Sequence, residues 1–424
     1  MSRTQTMAFG VKVAVVGGSI AGCAAAIALQ RIGCEVTAYE RSTGQLVDRG
    51  AGLGIPLSLL QTLVARDLVD ADMVYFEATK CPFVLRSDNG ERDAFQGRIL
   101  WEQPIAVAVT NWSVLYQQLR SRVPDNHYHQ GHEVIDIHET GDEAVSVHLS
   151  DGRIVEFDLV VCADGQHSVG RRLLFPDQSL QYVGYIFWRG LAEVASISHL
   201  ERFEDRITWA VGPKGYCLLY LVPSRTDILA PETRQVNWVL YENVTDRELP
   251  GVLTDAQGVV HPTSLPPGAA STNQVTYVQD HAQRYYPGYI AEAVAATSSP
   301  FIQAVFDLQI PHYRQGRICV LGDASALCRP HAASGAVKAL TNAMALADAF
   351  TAHDSLDRAL HAWDLEQSAE GRRLVTLGQV MGRAFVQTPP AWQHMDEAAA
   401  EQWWTDLMSE QHYWYVTEDA RPQS

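Results

Sequence analysis

The sequence predicts an α/β fold: a Rossmann-like parallel sheet, a second β-sheet inserted into it, and a helical segment at the C-terminal end. Three observations predict it. The stretch "VKVAVVGGSIAGCAAAIALQRIGCEVTAYERS" from Val11 reads as strand, glycine turn, helix and strand; "GRICVLGDASALCRPHAASGAVKALTNAMALADAF" from Gly316 reads as a second strand, turn and helix. Between them lies a segment dense in aromatic and β-branched residues.

Val13 to Val16 form a continuous apolar run, the pattern of a strand buried on both faces. Gly17-Gly18 tighten the chain, and an alanine-rich helical stretch runs to about Gly33 before the strand "EVTAYE" ends at Glu40, eighteen residues beyond Gly22. This is the dinucleotide-binding arrangement. Gly17 permits the turn, Gly22 lets the helix lie on the strand, and the amides at the helix start (Gly18, Ser19, Ile20, Ala21) face a pyrophosphate. Glu40, followed by Arg41, is placed to accept ribose hydroxyls. Ser19 stands where the motif's middle glycine belongs and brings a Cβ to the phosphate approach.

Two Asp-Gly pairs follow. Asp151-Gly152 is flanked by alternating apolar residues and reads as a hairpin turn. Asp164-Gly165, in "VVCADGQHSVGRRLL", instead ends a continuous apolar run and leads to Ser168 and Arg171. A site role competes here with an Asp cap and a structural arginine.

"HYHQGH" holds His127, His129 and His132. Metal ligation is one reading, but no cysteine or carboxylate joins at a recognisable interval, which favours a solvated strand edge.

In the later stretch, Ile318 to Leu321 form a strand, Gly322-Asp323 a turn, and Val337, Leu340, Met344 and Ala347 give the helix one buried face. Its first turn, around Gly335 and Ala336, carries no bulky charged side chain.

Composition limits the partners. The 424 residues are 47% hydrophobic, enough for a large core, and 49 acidic against 32 basic residues give a net charge of −17, which argues against nucleic acid. Seven scattered cysteines fit reduced core positions of an intracellular, cytoplasmic protein. Neither a signal peptide nor a membrane span is legible.

Three motifs in fixed order resemble the class A flavoprotein monooxygenases, the group that includes para-hydroxybenzoate hydroxylase. The glycine turn is Gly17 to Gly22. The D-G-x-x-S-x-x-R motif is Asp164, Gly165, Ser168 and Arg171, and the G-D motif is Gly322-Asp323 with Pro330 after it. "VVGGSIAG", "RGAGLGI", "TNWSVLYQQLR", "YVGYIFWRGL", "NWVLYEN" and "RPHAASGAVKAL" resemble the branch around 2,6-dihydroxypyridine 3-hydroxylase. Two positions depart from the wider pattern. Asn342 replaces a common acid, with looser cofactor contacts expected, and Trp112 stands where many members carry an arginine near the flavin.

The resemblance implies a Rossmann-like FAD-binding domain with an inserted substrate-binding β-sheet domain. It implies FAD and NAD(P)H as cofactors and O2 and a small molecule as partners. Asp164, Gly165 and Arg171 would lie near FAD and the path of the nicotinamide, Asp323 would bind the ribityl chain, and the segment from Pro330 to Ala336 would lie by the isoalloxazine. The inserted sheet would roof the site, with Trp188, Arg189, Trp209, Tyr216 and Tyr220 lining it. Arg189 would anchor an oxygenated substrate or serve a structural ion pair. His331, beside the expected flavin loop, would tune protonation or act as a cap, and Tyr216 is a further catalytic candidate.

The expected division is 11–80, 105–180 and 285–385 for FAD, 81–104 and 181–284 for the substrate sheet, and 386–424 as a helical tail on the body or on a second copy in a homodimer. The Pro/Gly-rich stretch 250–272 reads as a loop interrupting that sheet. The expected chemistry is hydroxylation of an oxygenated heteroaromatic such as a hydroxypyridine. The alternative is Baeyer-Villiger insertion or epoxidation on a bicyclic natural-product intermediate. A plain dehydrogenase would use only the first motif, and a noncatalytic flavoprotein would consume no O2.

Overall fold

The computed structural model describes residues 10–44, 46, 52–87, 90–141, 144–224 and 234–411. Arg49 to Ala51 of "RGAGLGI" and the tail after Gln411 lie outside the described residues.

Among these residues the first sheet has six strands, ordered Arg314–Gln315, Ile318–Val320, Leu159–Cys162, Lys12–Val16, Glu35–Glu40 and Tyr128–Gln130. Lys12–Val16 pairs in parallel on both edges, which explains its unbroken apolar run. The register sets Val16 beside Cys162 and Cys162 beside Val320. Parallel strands in register end together, so the three motif turns open side by side at one edge of the sheet.

Gly17 turns there with φ 99°, and a Cβ would come 2.5 Å from the Ala163 carbonyl oxygen. A Cβ on Gly22 would run into the Gly17 carbonyl, so any side chain at either position forces the turn apart. The helices Ile20–Arg31 and Ser334–Ala352 pack against each other beside the sheet. His129 and its neighbours form the outer strand Tyr128–Gln130, while Asp151-Gly152 closes the hairpin between Val145–Leu149 and Ile154–Phe157.

The second sheet has ten strands and is mostly antiparallel. Its central run is Phe301–Gln309, Gln181–Glu193, Gln235–Asn243, Gly215–Val222, Thr208–Gly212, Phe76–Leu85, Arg98–Asn111 and Gly52–Pro56. The expected boundary at 105 therefore falls inside one strand, and Gly52–Pro56 and Phe301–Gln309, assigned to the cofactor part, belong to this sheet. Val107 and Val109 pack on the second core while Ala108 between them packs on the first, so the strand serves both. The stretch 250–272 is not wholly a loop: Ser264–Leu265 pairs with the Phe301–Gln309 strand.

Side chains on this sheet alternate between two faces. Tyr185, Phe187, Trp209, Tyr216, Tyr220, Val239 and Tyr241 share one core. Ile186, Trp188, Ala210, Leu219, Trp238 and Leu240 share the other, beneath the helices Thr272–Tyr285 and Gly288–Ala295. The long helix Leu356–Gly382 continues as a π turn, Arg383–Gln387. After it, the helix Glu397–Met408 brings Trp404 onto the first of these faces.

Candidate active site

The cradle at the strand ends offers bare amides. Neither Ser19 before the first helix nor Ala333 before the later one caps it with a side chain, and neither helix has an acid in its first turn. Both ends keep their donors and partial positive charge for an external anion. Ala333 reaches this position in the left-handed region, φ 48°, directly after the Pro330–Ala332 turn, and open space surrounds Gly335. These features fit a dinucleotide.

Glu40 is buried at the same edge. Its Oε2 accepts from Gly18 N and its Oε1 from Ser42 N, both at 2.8 Å, so the carboxylate is held rigid while Arg41 beside it is exposed. Gly18 is packed against Tyr128, whose hydroxyl donates to its carbonyl at 3.0 Å.

Asp164 and Arg171 direct most of their polar atoms at backbone. Asp164 Oδ2 accepts from Val169 N at 2.7 Å, and Ser168 Oγ caps the next helix by accepting from Arg171 N at 3.1 Å. Arg171 Nη1 donates to the Ala324 carbonyl at 3.2 Å and Nη2 to that of Gln166. The Asp-cap reading thus describes the local structure, with two carbonyls in place of an ion pair. Asp164 Oδ1 and Arg171 Nε remain buried without a partner. Burial raises the Asp164 pKa against bonds from Ser168 and Val169, and burial lowers that of Arg171.

Across the cradle, Asp323 is half exposed, with the fully buried Lys338 Nζ 3.6 Å away. Asn342 does not loosen this turn. Its Oδ1 accepts from Gly322 N at 3.1 Å, its Nδ2 donates to Gln367 Oε1 at 2.8 Å, and its carbonyl accepts from Trp363 Nε1 at 3.0 Å. Trp112 stacks on Tyr116 at 5.1 Å.

The second sheet divides the expected substrate residues. Trp188 points to the opposite face, where its Nε1 donates to Glu242 Oε1 at 2.8 Å beneath the helices. It and Arg189 are sequence neighbours on a strand and cannot line one surface. Trp209 is packed among Phe83, Phe385 and Trp404, with centroids at 5.4, 4.8 and 6.3 Å, so it builds an aromatic cover rather than an open wall.

Arg189, Tyr216 and Tyr220 do share a face. Arg189 Nη2 donates to the Gly52 carbonyl, while Asn237 Oδ1 accepts from Gly52 N at 3.0 Å. Arg189 Nε and Asn237 Nδ2 stay buried without acceptors. Burial raises the Tyr220 pKa, with Arg189 opposing.

His331 stands between this face and the cradle. Its Nε2 lies 2.7 Å from the Tyr185 hydroxyl and its Nδ1 2.6 Å from that of Tyr216. Burial, then the nearby Arg329 charge, lowers its pKa to about 3, so the imidazole is neutral. Tyr185, Tyr241, Arg329 and Asp307 were not singled out from sequence. Strand parity with Arg189 and Tyr216 carries the signal for the two tyrosines.

Two surface clefts are also present, the first reaching Asp307, the partner of Arg329. One of about 350 Å³ is lined by Asp177, Gln181, Asp307 and Gln379 among others, and one of about 180 Å³ by Phe76, Phe203 and Arg206 among others. Among the described residues no group of three His, Cys, Asp or Glu is placed to hold a metal, and no helix is long and apolar enough to cross a membrane.

Comparison with known proteins agrees with this geometry. A family model described as FAD binding domain-like matches residues 182–307. The chain is 28% identical over 363 residues to 2,6-dihydroxypyridine 3-monooxygenase of Paenarthrobacter nicotinovorans, covering 85% of this chain and 88% of that protein. It is 27% identical to 3-amino-4-hydroxybenzoate 2-monooxygenase of Streptomyces cremeus, with 79% and 77% covered. The solved 2,6-dihydroxypyridine-3-hydroxylase from Arthrobacter nicotinovorans superposes with a TM-score of 0.80 at 26% identity, over 91% of this chain and 96% of that one.

Proposed function

The chain belongs to the class A flavoprotein monooxygenases, and from that premise we propose that it uses NAD(P)H and O2 to hydroxylate a small oxygenated heteroaromatic of the hydroxypyridine type. The observation that carries the substrate class is the group of donors on one sheet face: the orphaned Arg189 Nε and Asn237 Nδ2, with Tyr216 and Tyr220 beside them. Buried donors without acceptors are costly, about 1–3 kcal/mol each, and an oxygenated ring meets that need. Relatives that act on a dihydroxypyridine and an aminohydroxybenzoate support the same reading.

Bound FAD supplies the redox chemistry and the activation of O2. Gly17 to Gly22 and the helix start at Ile20 would hold its pyrophosphate, Glu40 a ribose, and Asp323 its ribityl chain. The amides at Ser334 to Ala336 would favour negative charge on the ring system. Asp164 Oδ1 and Arg171 Nε, the two atoms not engaged with backbone, would face this same region. Arg189 would hold a substrate oxygen, and the aromatic cover of Phe385 and Trp404 would exclude water.

The test is oxidation of NADH and NADPH by the purified flavoprotein over a panel of hydroxypyridines and bicyclic lactams, with product mass. A gain of one oxygen with the ring retained supports hydroxylation. A ring-expanded product replaces it with Baeyer-Villiger insertion. Reduced nucleotide consumed with no oxygen transferred to any hydroxypyridine overturns the reading.

A further inference from the structure

The helix Ser334–Ala352 starts with bare amides and no acid in its first turn, yet it carries Lys338 in its second, fully buried. A cation near a helix N-terminus adds to the positive field of the amides, and a buried lysine ordinarily needs a close partner. The Lys338 Nζ donates to the Ala326 carbonyl. Its carboxylate neighbour, Asp323 Oδ1, stands 3.6 Å away, longer than a formed hydrogen bond. Burial lowers the Lys338 pKa, and Cys328, Asp323 and Tyr313 together raise it by more, so the ammonium stays charged. Burial also raises the Cys328 thiol and the Tyr313 hydroxyl above their usual values, which keeps both neutral near pH 7 and leaves the balance to Asp323.

The two charges are equal in size and unequally screened. The Lys338 side chain is 0% exposed and that of Asp323 49%. Water weakens the field of the aspartate, whereas the low-dielectric interior leaves that of the lysine largely intact. The pair therefore presents a net positive field at the Gly322–Ala324 turn. That turn lies between the two helix starts: a Cβ on Gly322 would come 3.1 Å from the Cβ of Ala21 and 3.5 Å from that of Ala339. Asn342, one turn beyond Lys338 on the same helix, holds the Gly322 amide. The two side chains thus grip both ends of the segment from Gly322 to Ala326, and only Lys338 brings a charge to it.

We propose that Lys338 and Asp323 form an unequally screened charge pair that sets the reduction potential of the bound flavin, Lys338 favouring the negative charge gained on reduction and Asp323 opposing it. With no exposed side-chain surface, Lys338 cannot touch a ligand. It is a positioning residue that acts through its field and through Asp323. The inference rests on the placement of FAD in this cradle and not on the choice of substrate.

The test is the two-electron reduction potential of the FAD-loaded protein, measured against reference dyes. Lys338→Met should lower it by at least about 30 mV, a tenfold change in the reduction equilibrium. Asp323→Asn, which keeps an oxygen for the ribityl hydroxyls, should raise it, and the double variant should return toward the parent. Asn342→Ala, which loosens the same segment without changing its charge, should leave the potential of the bound fraction unshifted. Shifts of one sign in both single charge variants, or no shift in either, overturn the pair. So does a shift in Asn342→Ala equal to that in Lys338→Met. If Lys338→Met does not fold, Asp323→Asn decides alone, and a potential at or below the parent's overturns the inference. Flavin absent from both charge variants would make the pair a requirement for binding and not a setting of potential, which also overturns it. Gly335→Asp tests the placement separately, because it sets an anion in the open first turn and should abolish FAD binding. Full flavin retention there removes FAD from this cradle. Flavin lost there, with equal potentials in the charge variants, leaves the placement standing and the charge pair overturned.

Discussion

Arg171 donates to the carbonyl of Ala324 from 153 residues away in sequence, joining the turn after the Leu159–Cys162 strand to the turn after Ile318–Val320. The two turns meet because their strands pair in parallel, and the guanidinium then fixes their separation.

Arg171→Met leaves the carbonyls of Ala324 and Gln166 without this donor, at a cost of about 1–3 kcal/mol. Urea unfolding should show that loss, and the flavin-to-protein ratio should fall with it. Arg171→Lys should recover part of both, because one ammonium cannot span two carbonyls as a planar fork does.

Asn342→Ala orphans the amide of Gly322 and should cost a similar amount while lowering FAD occupancy. Gln367→Ala removes only the outer link of the same clip and should do less. Equal effects in the two variants would show that the Gly322 contact is not the one that matters.

Asp323→Ala should deplete bound flavin, measured by absorbance after gel filtration, and it also strips the buried Lys338 of its carboxylate neighbour. Arg189→Ala should keep its flavin and lose turnover instead. Normal flavin retention in the first variant would remove Asp323 from the cofactor site.

These roles were unevenly legible in the sequence. The glycine turn, the Asp-Gly turn and the Gly-Asp turn were legible because each sits at the end of a continuous apolar run, and parallel register brings such ends together. Trp188 was misplaced because aromatic density alone does not say which face a residue takes, whereas counting from Arg189 does. The division at 105 failed because the alternation of Val107, Ala108 and Val109 serves two cores at once. Asn342 looked like a weakened cofactor contact because its partner, the amide of Gly322, is a backbone group that side-chain patterns do not reveal.

Acid should destabilise the protein through His331. Burial, helped by the Arg329 charge, pushes its pKa down to about 3 in the folded chain from about 6.5 for a free imidazole, so the unfolded chain binds the extra proton between these limits. Stability contributed by the neutral imidazole is complete above about pH 6.5 and declines as pH falls, by up to about 1.4 kcal/mol per pH unit. Comparing His331→Gln with the parent by urea unfolding from pH 7 to 5 should show a shallower decline in the variant. Parallel curves would mean the histidine is not held neutral.

Trp404→Ala should cost about 3–5 kcal/mol, the range for removing a buried large aromatic, because its ring meets Phe83, Trp101, Trp209 and Phe385. Thermal unfolding checks the loss. A change within about 0.5 kcal/mol would place that ring outside the packed cluster.

The same cluster imposes an order on biosynthesis. Phe385, Trp392, Trp403 and Trp404 leave the ribosome after every strand they will cover, so a nascent chain can assemble both sheets and all three turns while Phe83, Trp101 and Trp209 still face water. An apolar surface of that kind is prone to association until it is covered. Nonsense variants ending before residue 383 should therefore be lost to aggregation or proteolysis despite a complete set of nucleotide-binding turns.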